Sequence, residues 1–162
     1  MNFRNELLRK VLPAFVAIAL FGCQKTSPPA FSVEEDTKKV KAILKTIDDT
    51  TLSMDAKMSV YSDSVVHMAQ GSRAITNKAE LRKVLESEAS GGKTVMAHEL
   101  VTIHSYPDMV LTRGRVKGNF HPKNGGKIIP FETNNIITFK RNNNGTLKVW
   151  QVIFNRVDLE NY

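Results

Sequence analysis

Apolar positions in the first third of the folded region recur with helical spacing. Val40, Ile43, Leu44 and Ile47 fall at i, i+3, i+4 and i+7, while Lys38, Lys39, Lys41 and Lys45 lie mainly on the opposite side. Ser32 with Glu35 has the spacing of a capping box, so the helix is expected to begin there. A second, shorter helical stretch is expected around Leu52 to Tyr61 and a short strand at Val65 to Ala69. Asn77 with Glu80 opens a third helix, which carries Leu81, Val84 and Leu85 and stops at Gly91-Gly92.

From Val95 onward the pattern changes to alternation. Four strands are expected, at Val95 to Ser105, Met109 to His121, Lys127 to Arg141 and Leu147 to Val157. The breaks between them, Tyr106-Pro107-Asp108, Pro122 to Gly126 and Asn142-Asn143-Asn144-Gly145, are turn chemistry that joins consecutive hairpins. The order helix, helix, short strand, helix and four long strands predicts an α+β fold: a curled antiparallel sheet of four long strands plus a short one, with three helices packed on its concave face.

The N-terminus follows a different rule. Arg4, Arg9 and Lys10 precede Val11 to Gly22, twelve residues without a charge, and then Cys23. Spanning a bilayer takes about 20 apolar residues, so the run is short for a membrane span and reads as a secretory signal. Leu20-Phe21-Gly22-Cys23 resembles the lipobox of bacterial lipoproteins, in which the cysteine becomes the first mature residue and carries the acyl chains. The expected division is a signal peptide at 1–22, a tether at 23–32 containing Pro28-Pro29, and one domain at 33–162. The resemblance implies a membrane-anchored envelope protein. Gln24, rather than Asp, after the cysteine implies the periplasmic side of the outer membrane if the cell has two membranes.

Composition narrows the function. Apolar residues at 41% and charged residues at 24% are ordinary for a globular domain and exclude a wholly disordered chain. The charge is +7, falling to +5 without 1–22, and no basic motif interleaved with aromatics accompanies it, so nucleic acid is not an expected partner. A single cysteine rules out an internal disulfide and a cysteine-rich zinc module. His98 and His104 are separated by about 20 Å along one strand at roughly 3.3 Å per residue, and His67 and His121 lack neighbours at ligand spacing, so no metal is expected. No phosphate-cradling glycine loop or serine-nucleophile motif is present, and no cofactor is expected.

The segment Tyr61-Ser62-Asp63-Ser64-Val65-Val66, then Gly71, then Ile75-Thr76-Asn77-Lys78 resembles the nuclear transport factor 2-like superfamily, which includes SnoaL-like cyclases and ketosteroid isomerases. The final hairpin, Ile137 to Arg141 and Leu147-Lys148-Val149, continues the likeness, which covers Val33 to Val157. The resemblance implies a cone with a pocket between sheet and helices, and often a homodimer. It also implies a general-base carboxylate in the short strand. His67-Met68-Ala69-Gln70 stands there, without an acid, so steroid-isomerase chemistry is disfavoured and His67 is the candidate replacement.

Alternation supplies the remaining site candidates. The stronger apolar face of the third long strand is Ile129, Phe131, Thr133, Asn135, Ile137 and Phe139, which turns Thr133 and Asn135 inward. A buried amide needs a partner, either another side chain or something held in a pocket. The last strand allows two phases. Bulk favours burying Trp150, Val152 and Phe154, whereas the family resemblance turns Gln151 and Asn155 toward the pocket; Trp150 and Phe154 would then enter a dimer contact. Expected ligand-contacting residues are Thr133, Asn135, Gln151 and Asn155, with His67 as the acid–base group and Cys23 as the lipidation site. The leading functional expectation is a noncatalytic binding module for a small apolar ligand or a partner protein. The alternatives are an acid–base enzyme using His67 and a structural dimerisation module.

Overall fold

A computed structural model describes residues 31–157. The expected signal peptide, the expected lipidation site Cys23 and all but the end of the expected tether lie outside these residues. Helix α1 (Val33–Asp48) begins where the capping box places it, with the Ser32 side chain accepting from the Glu35 N–H at 3.0 Å. Its expected stripe is the buried one: Val40, Leu44 and Ile47 face the core, joined by Asp36. Helix α2 (Met54–Met58) is shorter than its expected stretch: it starts after its N-cap Ser53 and ends in a turn at Ser59-Val60, and strand β1 (Tyr61–Ala69) then begins earlier than the expected Val65. Helix α3 (Lys78–Gly91) is capped by the Asn77 side chain on the Glu80 N–H at 2.8 Å and runs directly into β2 (Gly92–Ser105). The hairpin strands β3 (Met109–Pro122), β4 (Ile129–Arg141) and β5 (Leu147–Arg156) follow. Among the described residues no helix is long and apolar enough to cross a membrane.

The five strands form one sheet in the order β1-β5-β4-β3-β2. The four long strands are antiparallel neighbours, and β1 adds to the edge parallel to β5. That makes β1 and β2 opposite edges, separated by about 19 Å if the sheet were flat at ~4.8 Å per strand. Helix α3 nevertheless packs on both edge strands, and α1 packs on β2. The sheet is curled, and the helices lie against its concave side.

Glycines permit this curl. A Cβ placed on Gly114 would stand 2.5 Å from the Glu99 carbonyl oxygen and 3.1 Å from Asn135 Oδ1. One on Gly118 would stand 2.6 Å from the Phe131 ring and 2.7 Å from the Val95 carbonyl oxygen. Both lie on the inner face of β3, where β2 presses closest against it. Side chains there would pry the strands apart.

Burial along the inner face is uneven, and this positions the site. At one end Val65, Val110, Phe139 and Val149 are wholly buried and pack with Val40, Leu44 and Leu147 into a solid core. Toward the other end several inner residues are only half-buried, namely His67, Met96, Phe131, Val152 and Phe154, with Leu85 on α3, while Val116, Thr133 and Asn135 among them stay buried. The cone therefore has a closed, packed half and an open half whose apolar lining lacks full cover.

Candidate functional site

Strand register fixes which side chains share the inner face, because directly paired residues point to the same side. Leu100 pairs Gly114, Gly114 pairs Asn135, Asn135 pairs Phe154, and Phe154 pairs Ala69. This row forms the floor of the open half. Two of its five members, Gly114 and Ala69, are small, and the Asn135 side chain lies close over Gly114, with Oδ1 3.1 Å from where a Cβ would stand. Asn135 stands at the centre, 6% exposed. No hydrogen bond among the described residues reaches its amide. The buried side-chain atoms that lack partners are Ser105 Oγ and Arg141 Nε instead, which means the Asn135 amide borders space that water can enter. Thr133, one step nearer the opening, is also buried and inward, in register with Val116.

His67 lies on the β1 wall, paired with Val152 on the same face. Its backbone exchanges hydrogen bonds with Ile75 (2.8 and 3.0 Å), and its ring meets the Phe154 ring edge-on at 5.3 Å. Removal from water holds the imidazole below its ordinary value, so the neutral form is favoured. No carboxylate among the described residues bonds to its ring.

The opposite wall carries a pair of which strand alternation marks one member. His98 is in phase with Met96 and Leu100 on β2, so it faces inward, where its spacing to His104 says nothing of its role. Its Nδ1 lies 2.6 Å from Asp48 Oδ1, and its backbone N–H donates to Asp48 Oδ2 at 2.9 Å. Both side chains are mostly enclosed, 10% and 20% exposed. Asp48 is the last residue of α1, fifty positions away in sequence, and only the packing of α1 on β2 brings the two together. Both Asp48 oxygens are engaged, which fixes the imidazole and leaves Nε2 as the available nitrogen. Tyr61, paired with Val149, is also near: loss of water and then the Asp48 charge push its phenol well above the usual range.

At the open rim, Glu88 continues the α3 stripe of Leu81 and Leu85 by helical spacing. Surrounding protein displaces enough of its water to raise its carboxyl above the ordinary value, although it keeps an exposed surface. Among the described residues no three His, Cys, Asp or Glu side chains lie close enough to hold one metal ion.

The expectation for Gln151 and Asn155 is corrected. The β4–β5 ladder shifts between Thr138 and Phe139, so that Thr138 pairs Gln151 while Phe139 pairs Val149 and Trp150 falls in the bulge. Before the bulge Leu147 and Val149 face inward; after it Val152 and Phe154 do. Each phase read from the sequence therefore holds for half of the strand. Gln151 and Asn155 pair with Thr138 and Asn134 on the outer face, away from Asn135. An open groove of about 430 Å³ also lies along β2–β4, with Met96, Gly118 and Phe131 of the inner face as well as Val95, Lys117 and Glu132 of the outer face in its lining.

Solved structures share this fold. A ketosteroid isomerase-like protein from Erwinia carotovora superposes with a TM-score of 0.66 at 20% identity, covering 79% of this chain and 99% of its own. A conserved protein from Planctomyces limnophilus gives 0.69 at 16% identity, covering 76% and 98%. A third, described as having a cystatin-like fold and coming from Novosphingobium aromaticivorans, gives 0.61 at 15% identity over 78% and 85%. It is described as nuclear transport factor 2-like. The fold of this chain is the nuclear transport factor 2-like fold. No protein-family model matches the chain, and neither does any curated protein sequence. Within this fold the open half of the cone holds His67, Thr133, Asn135 and the Asp48–His98 pair on one concave surface.

Proposed function

We infer that this is a lipid-anchored envelope protein whose nuclear transport factor 2-like domain binds a small, mostly apolar molecule without chemically changing it. The observation that carries the reading is the floor of the open half. Apolar side chains surround one unpartnered amide, Asn135, which suits a ligand with a hydrocarbon body and a single polar group. Mass spectrometry of material co-purifying with the native chain tests it. The expected outcome is a discrete small molecule that is lost on Asn135→Leu, a substitution that fills the hollow and removes the amide while keeping β4 apolar. A ligand retained by that variant would contradict the assignment.

The anchor is tested separately. Cys23→Ser is expected to move the chain from the membrane fraction to the soluble fraction, because each acyl methylene contributes about 0.8 kcal/mol to bilayer binding. Continued tight association would refute acylation at Cys23.

A second reading, an acid–base enzyme, is favoured by the Asp48–His98 pair. An imidazole oriented by a carboxylate, with its other nitrogen available, can move a proton on a bound carbonyl or hydroxyl compound. This reading transfers the base from His67, which has no orienting partner, to His98. Its signature is loss of turnover in both His98→Ala and Asp48→Asn while ligand still binds; turnover that survives both would exclude it.

A further inference from the structure

We propose that the closed end of the cone rests on the phospholipid head groups of the membrane holding the acyl chains, so that the hollow opens away from the bilayer. The proposal builds on acylation of Cys23. Phe31 is eight positions after Cys23, a reach of at most about 29 Å. The domain begins at the closed end: the Phe31 ring lies 5.6 Å from the Arg141 guanidinium, at the last residue of β4. The long strands extend about 45 Å from there at ~3.3 Å per residue, so the closed end is tied near the surface and the opening lies at the far end.

The side chains at this end suit an interface. Phe31 and Tyr106 are each 41% exposed, and Arg141 links them by donating to the Tyr106 carbonyl at 3.2 Å. An open groove of about 530 Å³ runs from Lys140 and Arg141 along Asn142 to Asn144. Lys140 lies over the Trp150 ring at 5.9 Å and pairs across the ladder with Lys148, while Lys39 donates to the Gly145 carbonyl. Aromatic rings beside lysines and amide donors form the combination that settles at a head-group layer. The acids nearby are Glu34 and Glu35, which pair with Lys38, Asp36, which is held by Arg141, and Asp108. Their presence leaves only a small net positive charge, so aromatic insertion and amide bonding carry the contact more than bulk attraction does. One functional consequence follows: whatever enters the hollow arrives from the aqueous side rather than directly from the bilayer.

Single cysteines placed at the two ends test this in the full-length chain. Asn143→Cys marks the closed end and Lys127→Cys the open end, both at exposed turns. Each carries a maleimide fluorophore, and the chain is reconstituted in phosphatidylglycerol–phosphatidylethanolamine vesicles containing a head-group nitroxide lipid. Quenching is expected to be severalfold stronger at position 143 than at 127, and a further Lys140→Glu, Lys148→Glu pair should reduce that difference. Equal quenching, or stronger quenching at 127, overturns the orientation. The parent chain, whose one cysteine is Cys23, should take up no fluorophore; if it does, the thiol is free, and the anchor fails together with the orientation. An unlabelled parent with equal quenching overturns the orientation alone.

Discussion

Arg141→Met is expected to destabilise the domain by about 3–5 kcal/mol, the usual result of leaving one member of a buried ion pair without its partner. Asp36 and Arg141 join the first turn of α1 to the end of β4 through two parallel bonds, Nη1 to Oδ1 at 2.8 Å and Nη2 to Oδ2 at 2.7 Å. The side chains are 1% and 6% exposed, so water cannot replace the lost guanidinium. Urea denaturation would show a lower midpoint at unchanged slope. Replacing both partners, Asp36→Leu with Arg141→Met, should recover much of the loss, since the remaining charge is then gone. The pair also sets the acid limit of the fold. The Arg141 guanidinium holds the Asp36 carboxyl below its ordinary value of 3.8. Its contribution is therefore fully present above the ordinary carboxylate range and is lost as pH falls through the lowered folded value. The double variant should lack this acid-dependent loss.

Gly114→Val carries the second large effect, about 3 kcal/mol of destabilisation. Its Cβ alone would stand 2.5 Å from the Glu99 carbonyl oxygen, a backbone atom held in the β2–β3 ladder. Relief requires the strands to separate, which breaks ladder bonds and flattens the curl that brings both sheet edges to α3. The same side chain would intrude on Asn135, because Oδ1 is 3.1 Å from that position. Thermal melting should show the lower stability, and any co-purifying ligand should be lost as well. A Gly114→Val variant that melts like the parent would mean the sheet is not pinched at this point.

Much of the fold was legible because each strand and helix carries its own local signal. Ser32 and Asn77 announce two helices through capping, and the Asn-Gly and Gly-Gly turns separate the strands. The inward placement of Thr133 and Asn135 follows from strict alternation along a strand whose inner phase is unbroken from Phe131 to Ile137. The last strand defeats the same reasoning because its bulge at Trp150 is a property of two paired strands, and no periodicity within one strand reveals a shift against its neighbour. The Asp48–His98 pair is hidden for a related reason. Its members are fifty positions apart, and their meeting depends on how α1 lies across β2. Only the inward phase of His98 between Met96 and Leu100 was available in the sequence, and it could have marked half of the pair. His67 was found through the position of a family carboxylate, and the structure places it on the same surface as Asn135 but on the wall opposite His98.

The central claim is that the open half of the cone is an apolar hollow with the Asn135 amide at its floor. Methyl-resolved NMR during titration with n-hexanol, which has a hydrocarbon body and one hydroxyl, tests it most directly. The account predicts saturable shifts at Leu85, Met96, Leu100 and Val152, none at Leu44, Val110 or Leu147 in the closed half, and loss of the response in Asn135→Leu. Unchanged methyl signals, or shifts confined to Ile136 and Ile153 on the outer face, would contradict it.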